Sequence, residues 1–94
     1  MPSYLVETFL ARGATDERTR RERQASEAAE SLTRAGTRVR FGGSIHVPDD
    51  EVCFFSFEAG SDQAVALVAE RAGLAPFRVV EFDRSKQRSR PRTT

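Results

Sequence analysis

The side chains able to do acid–base or metal chemistry concentrate in one stretch, "SIHVPDDEVCFFSFEAG" (residues 44–60), and in a few glutamates set among apolar residues. The stretch holds the only histidine, His46, the only cysteine, Cys53, and three consecutive acids, Asp49, Asp50 and Glu51. A histidine beside a cysteine suggests a metal pair or a nucleophile with its base, yet two ligands fall short of the four that zinc usually takes. The acidic triplet lacks the ligand spacing of a calcium loop and reads as a solvated turn. Glu7, Glu58 and Glu81 are more informative, because each interrupts an alternating apolar segment. Two such carboxylates held close together in a partly apolar pocket share a proton or offer hard oxygen ligands to a cation. The competing reading is that each meets an arginine, with Arg12, Arg40 and Arg78 as candidates.

The elements that must position these groups follow from periodicity. "SYLVETF" alternates as a strand with both faces covered. After Gly13, Thr15 is a plausible N-cap with Asp16 and Glu17 in the first turn, opening a helix over about 15–35. Ala25, Ala28, Ala29 and Leu32 fall at i, i+3, i+4 and i+7, and Gly36 stands at the expected left-handed C-terminal position. Extended backward, that stripe reaches Arg21 and Arg18, which either pair on a protruding helix end or contact an anion or a subunit. Residues 38–47 and 51–58 form a β-hairpin about the "PDD" turn, with Val47 opposite Val52, His46 opposite Cys53 and Phe41 opposite Glu58. Ser61 caps a second helix with Ala64, Leu67, Val68 and Ala72 on one stripe, ending at Gly73, and "FRVVEF" is a fourth strand.

The order strand, helix, strand, strand, helix, strand predicts an α+β, ferredoxin-like βαββαβ domain. It has a four-stranded antiparallel sheet, strands one and three central, and two helices on one face. Apolar residues nevertheless occupy both parities of strand three. The second face therefore calls for another subunit, which predicts a homodimer of the dimeric α+β barrel type with a pocket between sheets. Leu5, Glu7, Phe9, Phe41, Gly43, Ile45, Val52, Phe54, Ser56 and Glu58 are assigned to that partner-facing side, with Val79 and Glu81. Taking strands one and three to run in the same direction makes Glu7 and Glu58 neighbours.

Bulk properties bound the function. Ninety-four residues make one domain with a thin core. A hydrophobic content of 38% beside 31% charged residues is ordinary for a soluble protein. No apolar run reaches the roughly 18 residues of a membrane span. The first residues lack a signal-peptide pattern, so the cytoplasm is the expected location. A single cysteine excludes an intramolecular disulfide framework. Residues 84–94, "RSKQRSRPRTT", carry +5, which leaves −4 on residues 1–83. The division is a domain at 1–83 and a basic, disordered tail at 84–94. Without aromatic residues interleaved for base stacking, the tail argues against nucleic acid as a partner. No glycine-rich phosphate loop, nucleophile elbow, HExxH or CxxC occurs.

An opening "YLVE", a central "GxSIxxPDDEVCFFxFEA" and a closing "AGL..FRVVE" resemble a family of small ferredoxin-like bacterial proteins, actinobacterial and proteobacterial, catalogued mainly as a domain of unknown function. One branch of that family is described as nickel-binding. The resemblance spans about residues 2–82 and implies a dimeric α+β protein whose sheet faces form the interface. Metal-associated members read tryptophan, any residue, histidine, serine, tyrosine in strand two. Here the matching run is Phe41, Gly42, Gly43, Ser44, Ile45, so Gly43 occupies the histidine position. Glu7 and Glu58 match the family's acids. The resemblance thus implies a carboxylate-lined pocket rather than an imidazole nickel centre.

The functional expectation is a small homodimeric ligand- or metal-binding protein. Glu7 and Glu58 line its pocket and serve as the metal candidates, bordered by Phe9, Phe41, Phe54 and Arg40. The alternative is a cofactor-free oxygenase, isomerase or cyclase with Glu7 or Glu58 as general base, resting on analogy of fold. An interaction module using the tail is a third class.

Overall fold

The computed structural model describes residues 1–82. Its elements are β1 (Ser3–Phe9), α1 (Thr15–Arg34), β2 (Val39–Val47), a single 3-10 turn at Pro48–Asp50, β3 (Val52–Ala59), α2 (Asp62–Arg71) and β4 (Pro76–Phe82). The four strands form one antiparallel sheet in the order β2-β3-β1-β4, with β1 and β3 central as expected.

Local chemistry accounts for the helix boundaries. Ser61 adopts an extended conformation and its hydroxyl accepts from the Ala64 N–H at 3.2 Å, the expected N-cap of α2. In α1 the N-cap is Ala14, and Thr15 is the first helical residue, without a side-chain cap. Both helices end in a Schellman motif. Thr37 N–H donates to the Leu32 carbonyl and Leu74 N–H to that of Ala69, with Gly36 and Gly73 at positive φ of 105° and 76°.

The core lies between the helices and one sheet face. Val6, Cys53, Phe55, Phe57 and Ala59 meet Ala25, Ala28, Ala29 and Leu32 of α1, and Ala64, Val65, Val68 and Ala69 of α2. The small residues of α1 bring its backbone close to the sheet. Leu67, assigned to the buried stripe of α2, is exposed instead, because the stripe is rotated by one position onto Val65 and Ala69.

Three placements on the sheet differ from expectation. Phe41 pairs with Phe57, and Gly43 with Ser56, so Gly42 is an extra residue in β2. This bulge reverses the parity of residues 39–41 relative to the rest of β2. Phe41 accordingly turns to the helix side, where its ring packs against Phe57 and Phe55 at centroid distances of 5.4 and 6.3 Å. Arg40, not Phe41, lies opposite Glu58. In β4, Val79 pairs with Val6 and Glu81 with Tyr4, which puts both on the helix side. Arg78, Val80 and Phe82 share the open face.

Candidate functional site

β1 and β3 are antiparallel, which separates the two glutamates. Glu7 lies opposite Phe54 whereas Glu58 lies opposite Ser3, four positions away along the strand, or roughly 13 Å at the rise of a β-strand. The two carboxylates share the open face but do not form a pair. The assumption of parallel strands is the source of the misplacement. The helical crossover through α1 leaves β2 running in the direction of β1, and the β2–β3 hairpin then reverses β3.

Each glutamate instead meets an arginine on an adjacent strand. Arg78 Nε donates to Glu7 Oε1 at 3.1 Å, with the Glu7 side chain 19% exposed. Arg40 donates to Glu58 Oε1. The six residues expected to line one pocket therefore fall into two groups. Glu7, Phe9 and Phe54 lie together on the open face, with Arg78 added, while Arg40, Glu58 and Phe41 border a separate groove beside α1.

The open face is strongly apolar. Leu5, Val47, Val52 and Phe54 are half-buried on it, and Phe9, Ile45 and Val80 are exposed at 51%, 57% and 39%. Strand alternation predicts this face, and Glu7 stands within it.

On the helix side, His46 lies opposite Cys53 as expected. Cys53 is fully buried, and burial, ahead of all else, pushes its thiol up from the usual 9.0. The nearby Arg18, the Ser44 hydroxyl and Arg21 partly offset this, and Glu22 adds to it. A thiol so protected from solvent and held neutral is a poor nucleophile. His46 Nε2 is buried and has no hydrogen-bond partner among the described residues. The arginines on the buried line of α1 have structural partners. Arg18 donates through Nε to Ser44 Oγ at 3.0 Å and through Nη2 to the Ser44 carbonyl at 3.2 Å, and Ser44 donates in turn to Glu22. Arg21 donates to Glu17 at 2.7 Å and to the Phe9 carbonyl at 2.9 Å. They fasten the first half of α1 to β2 and to the end of β1.

The acidic turn is likewise structural. Arg12 donates through Nη2 to Asp49 at 2.7 Å and through its backbone N–H to the Glu51 carboxylate at 3.2 Å. The Glu51 carbonyl accepts from Leu10 N–H at 2.9 Å. Among the described residues no group of three or more His, Cys, Asp or Glu side chains is placed to hold a metal ion. Gly43, at the position where the metal-associated sequences read histidine, offers no side chain and has a φ of +124°. The donor set of one chain therefore does not fit an imidazole nickel centre, in line with the expectation from Gly43.

One antiparallel sheet with both helices on a single face defines a ferredoxin-like α+β domain. Among solved structures, SCO4226 from Streptomyces coelicolor A3(2) is similar to this chain, with a TM-score of 0.66 and 24% sequence identity over 85% of this chain and 94% of that one. At that identity the likeness shows the fold. No protein-family model matches the chain, and no curated protein matches it. No helix among the described residues is long and apolar enough to cross a membrane.

Proposed function

We propose that this chain is a small homodimeric ligand-binding protein. Two copies pair through their open sheet faces and enclose a mostly apolar pocket in which Glu7, held by Arg78, is the polar anchor. The observation that carries the reading is the apolar open face itself. A monomer in water gains nothing from presenting Phe9, Ile45 and Val80 beside Leu5 and Phe54, and contiguous patches of this kind mark interaction sites. The face also carries both signs of charge, in the Glu7–Arg78 and Arg40–Glu58 pairs, so a two-fold axis can set unlike charges against each other.

The pocket suits a ligand with an apolar body and one polar group that reaches Glu7 or Arg78. A cation in the same place draws its ligands from the Glu7 carboxylates of both copies, because Glu58 is four strand positions away. The enzyme alternative is weaker, since it rests on analogy of fold and the two glutamates do not come together as an acid–base pair.

Mass in solution tests the dimer. The wild type is expected to be dimeric at micromolar concentration. Ile45→Lys is expected to be monomeric with an unchanged fold, because Ile45 is 57% exposed in the single chain and little packing is lost. A monomeric wild type overturns the reading. Metal content of protein grown with metals in excess separates the two ligand classes: stoichiometric metal lost in Glu7→Gln supports a cation, and none supports an organic ligand.

A further inference from the structure

The second half of α1 and the start of β2 line a groove of about 650 Å³ at the β2 edge of the sheet, whose rim also takes in Arg40 and Glu58. This volume lies within the roughly 300–1,000 Å³ of small-molecule sites. One wall is a single face of α1, in which Ser26, Ala29, Glu30, Thr33 and Arg34 recur at helical spacing. The small Ala29 lets the groove reach down to Val39 and to the ring of Phe41, which form an apolar floor.

The rim is charged, and unevenly so. Three arginines, Arg34, Arg38 and Arg40, face two acids, Glu30 and Glu58. Arg40 and Glu58 neutralise each other. Among the described residues the guanidinium groups of Arg34 and Arg38 have no ion pair or hydrogen-bond partner. Between these walls the Thr33 hydroxyl donates to the Val39 carbonyl at 2.9 Å and accepts from Val39 N–H at 3.2 Å. That pair of hydrogen bonds fixes the helix end to the strand, so the groove is already shaped before a ligand arrives, which lowers the cost of ordering it.

We infer that this groove binds a small organic oxyanion, a carboxylate or phosphate joined to a flat apolar body. Arg34 and Arg38 clamp the oxyanion and Phe41 and Val39 receive the body. Guanidinium groups suit this task because their planar forks pair with carboxylate or phosphate oxygens two at a time. Bulge geometry supplies the aromatic floor, since without the extra Gly42 the Phe41 ring would stand on the opposite side of the sheet.

Titration of the isotope-labelled full chain by two-dimensional amide NMR tests the inference, with benzoate and phenyl phosphate as the oxyanion probes and phenol as the neutral control. Saturable shifts are expected at residues 26–34 and 38–41 with one or both oxyanions, and phenol is expected to bind at least about tenfold more weakly, a difference of about 1.4 kcal/mol. Arg34→Gln with Arg38→Gln is expected to weaken the better oxyanion by about tenfold or more. Both residues are exposed, so the rest of the spectrum should stay in place. Which oxyanion binds tighter tells a carboxylate ligand from a phosphate one. Shifts confined to residues 5–9 and 52–56, equal binding by phenol, an unaffected double variant, or no saturation with either oxyanion overturns the inference. The dimer reading rests on mass and on Ile45, so either can fail without the other.

Discussion

At the scale of single residues, Cys53 and Gly43 carry consequences that chemistry alone would not assign them. Cys53 attracts notice as a nucleophile, but full burial makes it a small apolar core group whose thiol stays neutral. A thiol with folded-state pKa raised above its unfolded value contributes stability that is complete below about pH 9 and is lost as the pH climbs past the folded value. Tyr4 acts in the same direction at higher pH, its phenol raised by burial and then by Glu81 and Asp62. Comparison with Cys53→Val isolates the thiol. Urea midpoints of the two proteins at pH 7 and pH 10 are expected to move in favour of the valine variant at the higher pH. Gly43, at φ +124°, holds a backbone conformation that a side chain resists. Gly43→Ala is expected to cost about 1–3 kcal/mol in the same urea assay, and Gly43→His to be destabilised without gaining nickel binding by calorimetry.

At the scale of elements, β2 shows how one residue redistributes a face. Alternation predicts Val39, Phe41, Ile45 and Val47 on one side, and the extra Gly42 divides that set, sending Val39 and Phe41 to the core and Ile45 and Val47 to the open face. Two adjacent glycines in a strand are a visible sign of a bulge, but they do not say which residue is left unpaired. The helix ends were legible because Ser61, Gly36 and Gly73 act through local backbone geometry. Arg40 and Arg78 stood among the candidate partners of Glu7 and Glu58, but the separation of the two glutamates was not legible, because strand direction depends on the whole topology. Arg18 belongs to this scale as well, since it joins α1 to β2 through the Ser44 hydroxyl and carbonyl. Arg18→Ala is expected to lower stability by about 1–2 kcal/mol and to raise amide exchange over residues 15–22, measured by mass spectrometry.

At the scale of the molecule, two helices on one sheet face leave the other face open. The expected βαββαβ order, the central β1 and β3 and the apolar open face agree with the structure. The expected basic segment at 84–94 lies outside the described residues. If two copies share the open face, unfolding is coupled to dissociation, and the thermal midpoint rises with protein concentration by mass action. A midpoint that stays constant over a hundredfold range of concentration would count against the dimer. Ile45→Lys is expected to remove the dependence.

The knot between the hairpin loop and the end of β1 bears on the order of events in folding. Arg12 and Glu51 are 39 residues apart in sequence, and the Leu10 amide is tied to the same Glu51. Closing so long a loop has an entropic cost that local helices and the hairpin itself do not bear. Leu10 N–H is therefore expected to gain protection after the β2–β3 amides in pulsed hydrogen exchange during refolding, which would date the docking of β1 onto the hairpin.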